Sequence, residues 1–287
     1  DGGYELSFIG YEDGKAKIKN LNLNLNLESI NSSEGYFIDN SISQQGATGL
    51  YSVVKDLEDN TYIVYSKSSS SSNNFKEIHI QKIDSDGTLI FDDIDDDSKL
   101  LYSKKNLASQ LNVKKAIASP DYNQMIVVYE EVNSSLHENL YAIGFKTNGE
   151  MAWDNPVLLS SGSEDQMFQD AILTNSGVFI IFEESKNGNS DVFGQLISFT
   201  GNILGEESGV IICDNTANQG NLAVDYNHIL NELMVCWDDN RNEDQDIYCA
   251  SIALHDMLVT EIPITPNKNL DQKNPYVKYT LTNSALV

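Results

Sequence analysis

The densest run of oxygen ligands in the sequence lies between Trp237 and Tyr248, and cation binding is the chemistry it could support. Asp239, Asp244 and Asp246 are the candidate calcium ligands, because calcium takes about six to eight oxygens that often come from one loop. The run lacks the Gly and the Glu that an EF-hand loop requires, and Arg241 can neutralise Asp239. The favoured interpretation is therefore a hairpin turn held by an Asp–Arg pair, and weak calcium binding is the alternative.

A second acidic run, 92–97, contains five carboxylates. Such a run is usually a solvated loop, and we favour that interpretation over a calcium site. No other cofactor is predicted.

Residues that could carry out nucleophilic catalysis are scattered. The four histidines fall at unrelated places in the sequence, in a predicted strand, a long loop and two turns: His79, His137, His228 and His255. No Ser-His-Asp set can be proposed from them. The sequence also contains no HExxH, CxxC, P-loop or GxGxxG motif. It therefore predicts no catalytic residue.

The elements that position these side chains belong to an internal repeat. Four segments share one frame and begin at Glu77, Asn139, Asp191 and Asp246. Ten residues after these starts lie the predicted turn residues Gly87, Gly149, Gly201 and Asp256. Upstream of each start, an apolar run ends in an aromatic residue: Tyr65, Tyr129, Phe182 and Trp237. A glutamine then closes each unit: Gln45, Gln110, Gln166, Gln219 and Gln272.

The repeat predicts an all-β fold. Four short strands fit each period, and in the clearest unit they span 221–226, 231–237, 246–254 and 258–265. We therefore expect a β-propeller of four-stranded blades, with a β-sandwich as the alternative. One domain, 1–287, is expected. Its five blades are 1–45 plus 273–287, 46–110, 111–166, 167–219 and 220–272. Strands from both termini, 274–282 and 4–40, would close the ring, and a longer natural chain would have six or more blades.

Composition excludes several partners. The formal net charge is −25 and the pI is about 4.2, so nucleic acid and anionic membrane surfaces are not expected to bind. No apolar run is long enough to insert into a membrane. A chain that begins at Asp1 suits a processed protein, and we expect it to be secreted or at the cell surface.

Three cysteines do not make a disulfide framework. Cys236 and Cys249 would lie directly opposite if the hairpin turned between Asn242 and Glu243, so a cross-strand disulfide is one interpretation. Two buried thiols are the favoured one. Cys213 has no evident partner.

The segment from Trp237 to Tyr248 resembles a repeat of bacterial secreted and cell-surface β-propellers, many of them type IX secretion cargo. The central match consists of Trp237, Asp239, Arg241, Asp246, Ile247 and Tyr248. Other units supply the opening and the close of the repeat: Gln272, Asn274, Pro275, Gly149 and Trp153. Glu243 departs from the pattern, because it replaces the turn Gly. The resemblance implies the fold and a secretion route, and the motif residues are structural in that family.

Two functions follow as hypotheses. The leading one is a non-catalytic extracellular binding or adhesion module, or a subunit of a surface complex. The alternative is an extracellular carbohydrate-active enzyme similar to five-bladed glycosidases, which use carboxylates on innermost strands. Asp170 and Asp225 lie on or near such strands, and glycoside chemistry would require two carboxylates at a suitable separation.

Loops of variable length are expected on one face of the propeller: 66–76, 131–138, 185–190 and 238–245. Loops often carry function on a rigid scaffold. We therefore expect a protein or glycan partner to dock on this face. The carboxylates expected there are Glu130, Glu131, Glu183, Glu184, Asp238 and Asp239.

Overall fold

The computed structural model describes residues 3–12, 15–24, 36–37, 51–68, 75–91, 98–104, 110–121, 123–133, 135–186, 188–265, 271–280 and 284–287 of the chain. Every regular element in these ranges is a β-strand, which confirms the expected all-β class. In the part of the chain so described, no helix is long and apolar enough to span a membrane.

Strands follow one another through the described residues. In order they are β1 (Gly3–Glu12), β2 (Lys15–Asn24), β3 (Tyr36–Phe37), β4 (Tyr51–Lys55), β5 (Thr61–Ser68), β6 (Phe75–Ile83), β7 (Lys99–Ser103), β8 (Gln110–Ala118), β9 (Gln124–Val132), β10 (Glu138–Lys146), β11 (Val157–Leu158), β12 (Gln166–Leu173), β13 (Gly177–Lys186), β14 (Asn189–Ser198), β15 (Val210–Cys213), β16 (Gln219–Asn227), β17 (Glu232–Asn242), β18 (Asp244–Ala253), β19 (Leu258–Pro263), β20 (Lys278–Tyr279) and β21 (Ala285–Leu286).

The chain divides into two compact units. The first comprises Asp1–Leu136 and Gly144–Asp154, and it contains the sheet β1-β2-β3, the sheet β4-β5-β6-β7 and the pair β8–β9. The second comprises His137–Ile143 and Asn155–Val287. It contains β12-β13-β14-β15, called here the β12 sheet, and β16-β17-β18-β19, called here the β16 sheet. Four consecutive antiparallel strands per sheet are the blades of a β-propeller, as predicted.

The repeated glutamine opens a sheet and does not close the preceding one. Gln110, Gln166 and Gln219 are the first residues of β8, β12 and β16. The buried side chain of Gln166 accepts a hydrogen bond from the backbone N of Leu140 (3.1 Å) and donates one to the carbonyl of Ser160 (3.4 Å). The glutamine thus ties the incoming link to the start of the new sheet.

The turns after the third strands hold the predicted glycines. Gly87, Gly149 and Gly201 have φ values of 85°, 78° and 81°, a region that glycine adopts without steric cost. In the β16 sheet Met257 has the positive φ of 57°, and the predicted turn residue Asp256 precedes it. Asp256 instead accepts a hydrogen bond from the backbone N of Leu258 (3.2 Å).

The core of the second unit lies between the β12 and β16 sheets. Each of β13 and β17 contains a continuous apolar run, VFIIF and LMVCW. Because successive residues of a strand point to opposite faces, each run sends apolar side chains to both faces of its sheet. Phe179 and Ile181 of the β12 sheet pack in one cluster with Val235 and Trp237 of the β16 sheet. The opposite face of the β16 sheet packs against Val277.

Near the C-terminus, β20 pairs with β21 through Lys278–Leu286 and Tyr279–Ala285. The sequence did not predict this hairpin. Val277 and Tyr279 cover the face of the β16 sheet that contains Cys236 and Cys249. The predicted pairing of 274–282 with 4–40, and with it the single-domain organisation, stays a prediction.

Cys236 and Cys249 form a disulfide, so the favoured interpretation as two free thiols is wrong. They are direct partners in the register of β17 and β18, with Cα atoms 4.0 Å apart. The predicted pairing of Cys236 with Cys249 is correct, and this register brings the two sulfur atoms together. A bulge between Asp239 and Asn242 places the turn itself at Glu243, and not between Asn242 and Glu243. Cys213 is buried and not disulfide-bonded.

Candidate functional site

The second strands of three blades contain an aromatic residue followed by two acids. These acids, called here the acidic row, are Glu130 and Glu131 in β9, Glu183 and Glu184 in β13, and Asp238 and Asp239 in β17. All six are buried, with exposed fractions of 3, 8, 7, 7, 2 and 0%. The expectation that they lie exposed on loops is wrong. The strands continue through them: β17 runs to Asn242 and β18 begins at Asp244, so only Glu243, with φ of 77°, separates the two strands.

Two acids of the row, Glu130 and Glu131, lie in the first unit, and lysines neutralise both. Lys114 Nζ lies 2.7 Å from a carboxylate oxygen of Glu130, and Lys104 forms an ion pair with Glu131. Glu130 and Glu131 point to opposite faces of the sheet, because successive residues of a strand alternate. Each acid therefore has its own cation.

Asp239, in the second unit, is surrounded by donors. Its carboxylate accepts hydrogen bonds from Arg241 Nε (2.9 Å), Trp237 Nε1 (3.3 Å) and Gln219 Nε2 (3.3 Å). Arg241 also lies over the Tyr248 ring, 4.0 Å from its centroid, and its backbone N donates to Asp239 (2.8 Å). The predicted Asp–Arg hairpin is confirmed, and Asp239 is a structural residue.

The other calcium candidates surround the same hairpin. Asp246 is the register partner of Asp239 and accepts a hydrogen bond from Asn242 Nδ2 (3.0 Å), while Asp244 is half-buried beside the turn. Among the described residues no group of three or more His, Cys, Asp or Glu side chains is arranged to hold a metal ion. The alternative calcium run, 92–97, lies outside the described residues.

Glu183 has a different environment from that of Asp239. Its carboxyl accepts a hydrogen bond from the Ser190 hydroxyl (2.6 Å). Burial raises the pKa of Glu183 above its usual value, the Ser190 hydrogen bond opposes this shift, and the negative charge of Asp238 adds to it. The charges of Glu183 and Asp238, called here the acidic pair, therefore interact, although Asp238 projects from the face of β17 opposite to Trp237, which packs against the β12 sheet.

Asp238 accepts hydrogen bonds from neutral donors. They are Asn221 Nδ2 at 2.7 Å, the backbone N of Asn274 at 3.2 Å and Gln245 Nε2 at 3.5 Å. Asp238 is therefore held by donors from three different segments of the second unit.

Solvent reaches the end of the β12 sheet where Glu183 lies. Met167 is the register partner of Glu183 on β12, and its side chain is 47% exposed. Directly paired residues project from the same face of a sheet, so Met167 lies beside Glu183. A ligand that covers Met167 would therefore approach the Glu183 carboxyl.

A β-bulge interrupts the first strand of three blades near the acidic row. The register shifts at Val113/Lys115, at Phe168/Asp170 and at Gly220/Ala223. Bulges re-aim side chains. At its bulge, the side chain of Lys114 reaches Glu130. At another, the side chain of Asn221, whose φ is 51°, reaches Asp238. Sequence reasoning missed both residues, because a bulge leaves no trace in the apolar alternation.

The structure also assembles a Ser-His-Glu set that the sequence did not reveal. His79 Nδ1 lies 2.9 Å from Ser98 Oγ, and His79 Nε2 lies 3.1 Å from Glu77 Oε2. Ser98 and His79 are each 2% exposed, whereas the Glu77 side chain is 26% exposed. The hydroxyl faces the interior and the acid faces solvent, which is opposite to what a nucleophile requires. The alternation of a strand places Glu77 and His79 on one face. No sequence pattern connects them with Ser98, which lies 19 residues after His79.

The two carboxylates considered for glycoside chemistry lie on first strands, as expected. Asp170 is in β12, and its carboxylate accepts a hydrogen bond from the backbone N of Ala171 (2.8 Å). Asp225 is in β16, and the C-terminal hairpin meets it: Lys278 Nζ lies 2.8 Å away and the backbone N of Tyr279 2.7 Å away. Asp170 and Asp225 therefore have different hydrogen-bond partners.

No protein-family model and no curated protein matches the sequence. Among solved structures, a thermostable family-43 glycoside hydrolase is similar at 13% identity, covering 86% of this chain and 84% of its own, with a TM-score of 0.44. An endo-arabinase from Bacteroides thetaiotaomicron is similar at 13% identity, covering 93% and 95%, with a TM-score of 0.40. A GH43 β-1,3-galactosidase is similar at 7% identity, covering 88% and 86%, with a TM-score of 0.44. At identities this low, no residue role transfers to this chain.

Proposed function

We propose that this chain is a carbohydrate-active β-propeller that hydrolyses a glycosidic bond, with Glu183 as the proton donor. The buried Glu183 carboxyl, which lies beside the exposed Met167 and has a raised pKa, carries the proposal. Glycoside hydrolysis uses two carboxyl groups, one of which keeps a proton to give to the leaving oxygen. Burial and the charge of Asp238 raise the pKa of Glu183 in the direction that this role requires.

The chemistry follows from the environment of Glu183. Glu183 gives its proton to the glycosidic oxygen as the bond to the anomeric carbon breaks. The charge of Asp238 raises the pKa of Glu183 and so helps to keep that proton available. Water then adds to the anomeric carbon, and its proton returns to Glu183.

The disulfide supports an extracytoplasmic location. Disulfides persist in oxidising compartments and are rare in the cytosol. The Cys236–Cys249 bond therefore fits the expected secreted or cell-surface protein. Type IX export remains a prediction from the resemblance.

The test is a screen of the purified, oxidised chain against chromogenic glycosides and plant polysaccharides. We expect turnover of at least one substrate, and Glu183→Gln should lower kcat by about 100-fold or more. Glu184→Gln is the matched control, because Glu184 is the next residue and points to the opposite face of the sheet. Melting curves establish that both variants fold. A wild-type chain that cleaves nothing, or unchanged turnover by Glu183→Gln, contradicts the proposal.

A second candidate function is glycan or protein binding without chemistry. Glu130, Glu131 and Asp239 favour it, because cations hold all three in structural ion pairs. If this second function is correct, the chain binds a glycan from the same panel and forms no cleavage product. Binding should then survive Glu183→Gln.

A further inference from the structure

The strand β16 leads from the Glu183–Asp238 pair to a separate cleft at its other end. This cleft, called here the hairpin cleft, has a volume of about 180 Å³. The end of β16, the turn after it and the C-terminal hairpin line it, with Asp225, His228, Ile229, Lys278 and Tyr279 among the lining residues. Asn221 and Asp225 are four residues apart, about 13 Å at roughly 3.3 Å per strand residue. The hairpin cleft is therefore distinct from the acidic pair.

An ion pair forms the polar part of the cleft. Lys278 Nζ lies 2.8 Å from Asp225 Oδ1, and Asp225 Oδ2 accepts the backbone N of Tyr279 at 2.7 Å. Burial raises the pKa of Asp225, but the hydrogen bonds from Lys278 and Tyr279 prevail and hold it below its usual value. The side chain of Asp225 is 11% exposed and that of Lys278 is 59% exposed. Asp225 is thus a fixed, ionised anchor that orients an accessible ammonium group.

Apolar surface lies next to this pair. Ile229 is 65% exposed, and Tyr279 is half-buried with its hydroxyl donating to Glu232 Oε1 at 2.8 Å. This hydrogen bond fixes the tyrosine ring, so the apolar contact costs little ordering entropy on binding. A cleft with an ordered ring, an exposed aliphatic side chain and a few convergent polar groups has the character of a small-molecule site.

We infer that the hairpin cleft binds a single neutral sugar residue through two neighbouring hydroxyl groups. One hydroxyl can donate to the Asp225 carboxylate while the next accepts from the Lys278 ammonium, since a carboxylate only accepts and an ammonium only donates. Anions are disfavoured, because Asp225 and Glu232 oppose one ammonium group in a chain of net charge −25. The volume is below the range of about 300–1,000 Å³ of drug-sized sites, which restricts the ligand to one ring.

The test is titration of the full, oxidised chain with neutral monosaccharides such as galactose, glucose, xylose and arabinose, followed by NMR. At least one should bind, and Lys278→Met should weaken it by about tenfold or more, because it removes a charge-assisted hydrogen bond. Lys55→Met is the matched control: this lysine is also exposed and paired with an aspartate, Asp59, at 2.9 Å, but lies outside the cleft. The affinity of the Lys55→Met variant for the monosaccharide should equal that of the wild type.

Further variants separate this inference from the proposed hydrolysis. Glu183→Gln should bind the monosaccharide as the wild type does, whether or not the chain cleaves glycosides. Lys278→Arg keeps the charge and should retain part of the affinity. The inference is overturned if no neutral monosaccharide binds, or if Lys278→Met binds as tightly as Lys55→Met while both melt at the wild-type temperature.

Discussion

The β12 and β16 sheets share one strand frame, yet they treat the same acidic positions differently. Glu183 and Glu184 follow Phe182 in the second strand of one sheet, and Asp238 and Asp239 follow Trp237 in that of the other. At the second acid, the fully buried Asp239 pairs with the Arg241 guanidinium group, whereas Glu184 accepts a hydrogen bond from Ser160 Oγ at 3.5 Å. At the first acid, Asp238 accepts hydrogen bonds from amide groups, whereas Glu183 accepts one from a serine hydroxyl and burial raises its pKa. Equivalent places in the repeat therefore have different partners in the two sheets.

The interiors of the two sheets differ as well. Cys236 and Cys249 pair across the β16 sheet, and Ile181 and Gly194 are the corresponding pair in the β12 sheet. A Cβ on Gly194 would lie 2.2 Å from Phe179 Cζ, so an aromatic ring fills the space there. The β16 sheet has a covalent cross-link at this position, whereas the β12 sheet has close packing there. The two sheets should therefore respond differently to reduction.

Arg241→Met tests the structural role of the β16 acid, and its effect should be the largest. Removing one partner of a buried ion pair leaves a buried, uncompensated charge and costs about 3–5 kcal/mol. Asp239 is 0% exposed, so thermal melting should show a large destabilisation. Lys55→Met, which breaks an exposed ion pair with Asp59, should cost less than about 1 kcal/mol.

A double variant sharpens this result. Replacing Asp239 by Leu in the Arg241→Met background removes the unpaired charge, and it should recover much of the lost stability. If Arg241→Met melts like Lys55→Met, Asp239 does not depend on its cation and the contrast between the two sheets disappears.

Loss of the disulfide should have the next largest effect. Cys236→Ala with Cys249→Ala opens a link spanning 13 residues, and a loop of that size is worth about 3 kcal/mol. The double variant should melt at a lower temperature than the wild type, and its melting should not respond to reductant. Cys213→Ala should keep the disulfide, as thiol counting by mass spectrometry would show. Identical melting of oxidised and reduced wild-type protein would argue against a stabilising bond.

Glu183→Gln tests the β12 acid through the pH dependence of stability, and its effect should be the smallest. The pKa of Glu183 is raised in the folded state by burial and by the charge of Asp238. The stability it contributes is therefore present below its unfolded pKa and is lost as pH rises through the folded pKa. The variant should gain stability relative to the wild type between about pH 4 and about pH 7.

Glu150→Gln provides a control of opposite sign. A hydrogen bond from the Asn148 side chain and the nearby Lys146 lower the pKa of Glu150, so its contribution is lost as pH falls. This variant should lose stability at neutral pH and match the wild type in acid. A pH profile of Glu183→Gln parallel to that of the wild type would show that Glu183 titrates as an ordinary exposed glutamate.

The local pattern of the sequence determined the strands, the turns and the blade frame. Apolar alternation, the spacing from Glu77 to Gly87 and its repeats, and the register of Cys236 with Cys249 all follow from interactions between residues close in the chain. Such interactions depend on the period of a strand and on which residues tolerate positive φ, and both can be read from the sequence.

Only the tertiary structure decided which acids are buried and what meets them. The sequence placed the acidic row on a loop face, whereas carboxylates are buried as a rule only where they have partners. The partners come from other strands and links: Lys104 reaches Glu131, Asn221 reaches Asp238 past a bulge, and Lys278 reaches Asp225 from 53 residues away. Because burial of a charge depends on donors that the fold brings from a distance, local sequence could not determine whether these acids would stabilise the fold, hold a proton or meet a ligand.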